Sequence, residues 1–256
     1  MPESRTIIRL DHCESTMDAA RLLAEQGAAD GTVVVADEQA RGRGTKGRLW
    51  LSPPGVGLYM TYILRPGEEE RPDLVLLPLA SGVAAQEALA ALGVAEARLK
   101  WPNDLVARRR KLGGILCESV YQDARPRFAL IGVGLNLNQM EQDFPPEMRP
   151  LATSVRLLSG KEKDRDGALF ALNETLGRWL RVLRDGRREE LLAAYEERLA
   201  FRPGDRIILT TAEGRAGFVY IGLAANGELR VRPAAGAGNG PERCLRADDI
   251  EGLDWD

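Results

Sequence analysis

The chain has 256 residues and a mass of 28.1 kDa, enough for one large domain or two small ones with a substantial core. Its 35 basic and 38 acidic residues leave a net charge of −3, which disfavours nucleic-acid binding by bulk electrostatics, and no uninterrupted apolar run or signal-peptide core suggests a membrane. Three unpaired-looking cysteines (Cys13, Cys117, Cys244) and one histidine, His12, argue against a disulfide framework or a His-rich metal site and predict a cytoplasmic protein.

Residues 6–10 predict a short strand. A helix is expected from Ser15-Thr16-Met17-Asp18 through about Gln26, because Ser15 with Asp18 three residues on is close to a capping box. The β-branched run in 32–36 predicts a buried strand, and the glycine-rich basic stretch 41–48 predicts a loop. Residues 57–64 alternate as a strand. Residues 71–92 read as a long apolar helix with Pro78 inside it, hence a kink or an early boundary.

Strand edges at 98–101 and 105–107 flank the turn Pro102-Asn103-Asp104. Residues 112–121 and 128–137 predict two strands in a hairpin across 123–126. A proline-rich polar loop, 139–150, precedes helices at 164–183 and 187–199. Past Phe201-Arg202-Pro203-Gly204 only short strands follow, at 206–211, 215–221 and 228–231, with turns at Glu213-Gly214 and Asn226-Gly227. The expected class is therefore α+β. A boundary near Arg202 divides 1–201 from a tail, 202–256, of the size of a small SH3-like β-barrel, in which 234–241 is a flexible Gly/Ala-rich loop.

Four stretches carry chemistry. In 39–50, three glycines (Gly42, Gly44, Gly47) interleave with four cations (Arg41, Arg43, Lys46, Arg48), so that backbone N–H groups and positive charge can face one anion. A solvated basic turn would have the same composition. Lys100-Trp101-Pro102-Asn103-Asp104 brings a lysine, an amide and a carboxylate to a strand end, as an ordinary turn also would. Lys111-Leu112-Gly113-Gly114 places two glycines in a strand, where a bulge or a ligand near the backbone is expected. Asn136 and Asn138 alternate after Gly132-Val133-Gly134-Leu135 and so are expected to share a face.

Together these stretches resemble the biotin protein ligases. The family pattern GRGRxGRxW appears as Gly42 to Trp50, KWPND is intact at Lys100 to Asp104, and KxxGIL appears as Lys111 to Leu116. Ser15-Thr16-Met17 matches the family's Ser-Thr-Asn, and 52–66 is also family-like. The resemblance is close over about 8–138. It implies a mixed-sheet catalytic domain of the biotin/lipoate ligase type, with helices, followed by the small barrel.

The resemblance further implies ATP-dependent activation of biotin to biotinyl-5′-AMP, then transfer of biotin to one lysine of a carboxyl-carrier protein. ATP with Mg2+ and biotin would be the substrates. Arg43 and Lys111 would stand nearest the forming bond, with Arg48 on the triphosphate. Asn103 and Asp104 would place magnesium or polarise the incoming lysine. Ser15, Thr16, Met17 and Gln39 would hold biotin's ureido end, with Gly44, Thr45, Gly113 and Gly114 close by. Trp50, Lys100, Asn136 and Asn138 would approach the nucleotide. Ser15 is equally explained as a helix cap.

Two departures stand out: Thr45 replaces the family's second arginine, and Met17 replaces its asparagine. With a neutral Thr45 the adenylate is expected to leak faster, and the glycine-rich loop is expected to be mobile without ligand. Because the motifs begin at Ser15, a stand-alone ligase without a DNA-binding domain is expected. Family members occur as monomers and dimers, so a homodimer is compatible. Two other readings compete. A lipoate–protein ligase lacks support because its motif, RRxxGGGxVxHD, is absent. An RNA-binding segment is disfavoured by the negative charge and by 5% aromatics with none interleaved in 41–48.

Overall fold

A computed structural model describes residues 6–66, 73–123, 125–234 and 240–255. The first part of the chain forms strands β1 (Ile7–Cys13), β2 (Val33–Gln39), β3 (Gly57–Leu64), β4 (Arg98–Lys100), β5 (Asp104–Ala107), β6 (Arg110–Gln122) and β7 (Arg125–Asn136). They make one sheet in the order β1-β2-β3-β7-β6-β5-β4. Only β1 and β2 are parallel, because helix α1 (Thr16–Glu25) provides the crossover between them. The sheet is therefore mixed, and β6 and β7 form its long central hairpin.

Ser15 caps α1, its Oγ accepting from the Met17 N–H at 3.3 Å. The other half of the expected capping box does not form. The Asp18 carboxylate lies 2.9 Å from Arg43 instead, a full charge that outcompetes a neutral backbone N–H.

Helix α2 (Leu77–Ala91) is shorter than the predicted 71–92, and of the two outcomes expected at Pro78 it takes the boundary. Pro78 sits in its first turn, where the missing N–H would have had no helical partner, so no kink results. Residues 67–72 lie outside the described set. By length and composition Leu74–Ala91 would suit a membrane span, but the fold buries it between the sheet and helix α4 (Arg165–Arg184). Asp164 caps α4 through the Asp166 and Gly167 N–H groups, and α5 (Arg188–Arg198) follows. The predicted loop 139–150 contains two 3-10 turns. It is succeeded by an unanticipated short helix, α3 (Val155–Ser159), capped by Ser154.

The tail forms an antiparallel sheet of β8 (Arg206–Thr211), β9 (Gly214–Leu223), β10 (Leu229–Pro233), β11 (Arg243–Leu245) and β12 (Gly252–Trp255). Its order is β11-β10-β9-β8-β12, consistent with a small barrel-like unit. Strands β11 and β12 have three and four residues, too short for an alternation to be read. The predicted flexible loop falls largely on 235–239, outside the described residues.

The tail sheet does not stand apart. One continuous core joins Leu99, Trp101 and Leu105 to Tyr220, Leu229 and Leu253. Trp101 Nε1 donates to the Gly227 carbonyl at 3.0 Å. Gly227 has φ +80°, and a Cβ there would lie 2.7 Å from Leu76 Cδ2.

Candidate active site

The side chains of the motifs converge on a cavity of about 490 Å³ over the β6–β7 hairpin. Its floor is made of glycine. Gly114 and Gly134 pair across the two strands, and the Trp50 indole lies directly on them. A Cβ on Gly134 would sit 2.6 Å from Trp50 Cε2 and Nε1; one on Gly132 would sit 2.7 Å from Met17 Sδ. Bare backbone here admits two bulky side chains onto the sheet surface.

Gly113 is a correction. Strand alternation turns it to the opposite face, where a Cβ would meet Leu135 Cδ2 at 2.7 Å and the Gly134 carbonyl at 2.9 Å. It is a packing glycine outside the cavity lining.

One corner is a fixed hydrogen-bond chain. Thr61 Oγ1 donates to Thr16 Oγ1 at 2.9 Å, and Thr16 Oγ1 donates to Gln39 Oε1 at 3.0 Å. The Thr16 N–H reaches the same Gln39 oxygen at 2.8 Å, and Gln39 Nε2 donates to Ser52 Oγ at 2.7 Å. The amide of Gln39 is thus oriented from both ends. Ser15 is buried beside it. Neither Ser52 nor Thr61 was singled out from sequence, although Ser52 opens the family-like stretch 52–66. Gly42 is required here, since a Cβ would approach the Trp50 carbonyl to 2.4 Å.

The other corner is cationic. Lys111 Nζ lies 2.6 Å from Asp104 Oδ1 and 5.6 Å from the centre of the Trp50 ring. Arg43 lies on the α1 side of the cavity, pairing with Asp18 at 2.9 Å and with Glu118 at 3.4 Å. Asn103 Nδ2 donates to the Ile115 carbonyl at 2.8 Å, which fixes the turn that presents Asp104. Asn136 lines the cavity and donates to the Thr153 carbonyl at 3.0 Å.

Asn138 does not join it. Strand β7 ends at Asn136, so the alternation that would put both amides on one face stops. Asn138 instead clamps the Lys163 backbone, donating to its carbonyl at 2.9 Å and accepting from its N–H at 2.8 Å. Gly113 and Asn138 are the only residues proposed from sequence that fall outside the lining.

The glycine-rich loop, expected to be mobile, is tied in this structure to the tail. Lys46 adopts φ +57° and donates to the carbonyls of Ala247 and Ile250, and Arg48 Nη2 donates to the Glu251 carbonyl at 2.9 Å. Lys100 lies 3.9 Å from Asp254. Arg109 and Trp255, both missed from sequence, complete this rim.

Among the described residues, three buried polar atoms in the cavity lining lack both a hydrogen-bond and an ion-pair partner: Arg43 Nε, Trp50 Nε1 and Gln139 Oε1. Such atoms are costly unless a ligand satisfies them. Tyr59 also lines the cavity; burial pushes its hydroxyl well above the ordinary range, and it remains a donor to the Pro53 carbonyl at 3.0 Å. His12 stays at the surface beside Glu38, 3.5 Å away, and takes no part. Among the described residues no group of three or more His, Cys, Asp or Glu side chains gathers to hold a metal.

The arrangement can hold a neutral amide-rich group at one corner and condense anions at the other. Comparison with known proteins shows the family. Residues 10–136 match the model of the biotin/lipoate A/B protein ligase family. A bifunctional ligase/repressor from Bacillus spizizenii is 40% identical over 165 residues, 64% of this chain and 50% of that protein. The chain spans about half the length of that relative. A biotin–[acetyl-CoA-carboxylase] ligase from Paracoccus denitrificans is 32% identical over 89% of this chain and 94% of its own length. A solved biotin protein ligase from Aquifex aeolicus, in complex with biotin and ATP, superposes with a TM-score of 0.80 at 28% identity, covering 98% of this chain and 99% of that one.

Proposed function

The chain belongs to the biotin protein ligases of the biotin/lipoate A/B protein ligase family, and from that premise we propose that it activates biotin with ATP and transfers it to a carrier-protein lysine. In the first step a biotin carboxylate oxygen attacks the α-phosphorus and pyrophosphate leaves. In the second the lysine amine attacks the acyl carbon of biotinyl-5′-AMP and AMP leaves. Neither step needs a covalent enzyme intermediate, so positioning and charge stabilisation are the protein's tasks.

The observation that carries this reading is the pairing of two corners on one glycine floor. The Thr16–Gln39–Ser52 chain offers oriented donors and acceptors to a ureido ring, which needs partners once buried. Lys111, lining the same cavity as Arg43, faces the place where two anions must meet in this reading. Its attraction offsets the repulsion between carboxylate and α-phosphate. Asp104 holds the Lys111 ammonium in place, and the indole of Trp50, lying on the glycine floor, supplies an apolar wall beside it.

Magnesium enters as part of the Mg-ATP substrate. Asp104 keeps one oxygen without a protein partner among the described residues, which suits an ion held mainly by phosphates and water. The fit is to a shared ion, since among the described residues no protein cage gathers there. We assign catalysis to 1–201, a supporting role to 202–256, and the reaction to the cytoplasm, with the biotin carboxyl carrier of an acetyl-CoA or related carboxylase as acceptor.

The test is biotin-dependent ATP–pyrophosphate exchange, with wild type beside Lys111→Ala. Exchange that requires biotin and collapses in the variant is expected. Exchange with lipoate in place of biotin would change the substrate on the same fold, and an absence of exchange with any acid would remove the reading.

A further inference from the structure

The turn between β5 and β6 is built from two arginines. Ala107 and Arg110 pair across it, and the residues between them, Arg108 and Arg109, have φ +49° and +62°. Two consecutive positive φ values make a tight hairpin turn that Asn-Gly adopts at much lower cost. Here long cationic side chains occupy both places, and they point in different directions. Arg108 forms a two-pronged pair with Glu96, at 3.0 and 3.1 Å, away from the cavity. Arg109 turns into the cavity wall, its guanidinium 5.2 Å from the centre of the Trp255 ring and bonded to the Trp255 carbonyl.

Five cations line the cavity: Arg43, Arg48, Lys100, Arg109 and Lys111. Carboxylates face three of them. Arg43 has Asp18 and Glu118, Lys111 has Asp104, and Lys100 has Asp254. Arg48 and Arg109 are different. Among the described residues each is held only by a backbone carbonyl, of Glu251 and of Trp255, with the Trp255 ring beside Arg109. A carbonyl orients a guanidinium without cancelling its charge. The two uncompensated charges of the cavity are thus both fastened to residues 251–255, on the tail side of the rim.

We propose that Arg109, positioned by Trp255, binds the β- and γ-phosphates of the nucleotide together with Arg48, and so holds the departing pyrophosphate. The guanidinium fork matches a multi-oxygen anion, and the aromatic ring beside it keeps the fork presented to the cavity. This rests on the adenylation reading above and adds to it the residue that receives the leaving group.

The test is exchange kinetics on the full chain with Arg109→Ala, Arg109→Lys and Arg108→Ala. Arg109→Ala is expected to raise KM for both ATP and pyrophosphate about tenfold, the loss of one charge-assisted hydrogen bond, while KM for biotin stays unchanged. Arg109→Lys restores part of the loss, because it returns the charge without the fork. Arg108→Ala, in the same turn but outside the cavity, matches wild type. Unchanged KM values in Arg109→Ala, or an equal loss in Arg108→Ala, would overturn the proposal; the latter would make it a matter of turn structure. Calorimetric titration with inorganic pyrophosphate separates it from the reading it rests on. If wild type shows no biotin-dependent exchange, that reading fails. Pyrophosphate binding that weakens about tenfold in Arg109→Ala would still support the phosphate site, and equal or absent binding in both would end it.

Discussion

Gly134→Ala is a sharp test of the glycine floor. The added methyl would stand 2.6 Å from Trp50 Cε2 and Nε1, against the 3.5–4.0 Å or so of a relaxed carbon contact, so the indole must retreat by about 1 Å. Gly134 does not have a positive φ, so alanine itself is tolerated there. Restricting the unfolded chain would favour the variant by roughly 0.4–1 kcal/mol. Overpacking opposes this with about 1–3 kcal/mol, and the net expectation is a loss of about 1 kcal/mol. For a chain of this size that lowers the melting midpoint by roughly 2–4 °C.

The cause is separable from a general effect of alanine in a strand. With Trp50→Ala in the same chain the clash has no second partner, and Gly134→Ala becomes neutral or stabilising. Urea denaturation of wild type, the two single variants and the double variant gives the coupling, expected at about 1–2 kcal/mol. Additive effects within about 0.5 kcal/mol would refute the claim that Trp50 rests on this floor.

Other substitutions and conditions probe the rest of the site. Thr45→Arg is expected to slow release of biotinyl-5′-AMP, read as an intermediate off-rate; equal rates would sink the link between the missing arginine and leakage. Gln39→Ala removes the acceptor shared by the Thr16 N–H and hydroxyl. It should raise KM for biotin at least tenfold and leave KM for ATP unchanged, and a parallel rise in both would point to simple unfolding. Tyr59, Tyr195 and Tyr220 are held neutral, chiefly by burial, with hydroxyl pKa values above the ordinary 10. Above about pH 10 the unfolded chain loses those protons and the folded chain keeps them, so stability present below that pH should fall by up to about 1.4 kcal/mol per pH unit for each. A urea midpoint that stays constant from about pH 9 to about pH 11.5 would contradict this.

Much of the site was legible because the motifs are local. Lys100 to Asp104 and Lys111 to Leu116 are neighbouring stretches, and strand pairing alone brings Asp104 opposite Gly114. Gln39 was readable for a different reason: a polar amide at the end of a buried strand has no structural excuse of its own. The failures have particular causes. Asn138 was assigned by extending an alternation past the residue where β7 stops, and Gly113 by treating two adjacent glycines as one feature although a strand sends them to opposite faces. Arg109 and Trp255 were invisible because their contact joins residues 146 positions apart, one in a turn and one in a four-residue strand. At Pro78 the sequence left a kink and a boundary open, because an apolar run gives no sign of where a helix begins until its cap is known; the structure takes the boundary.

The placement of β12 on the rim also sets an order of assembly. Floor, amide corner and Lys111 all come from residues 15–136, and the carbonyls that steady Lys46, Arg48 and Arg109 come from 247–255. On the proposed reading, translation lays down the floor and the amide corner well before the segment that anchors Arg48 and Arg109. Until that segment docks, the growing polypeptide holds Lys46, Arg48 and Arg109 without their carbonyl anchors.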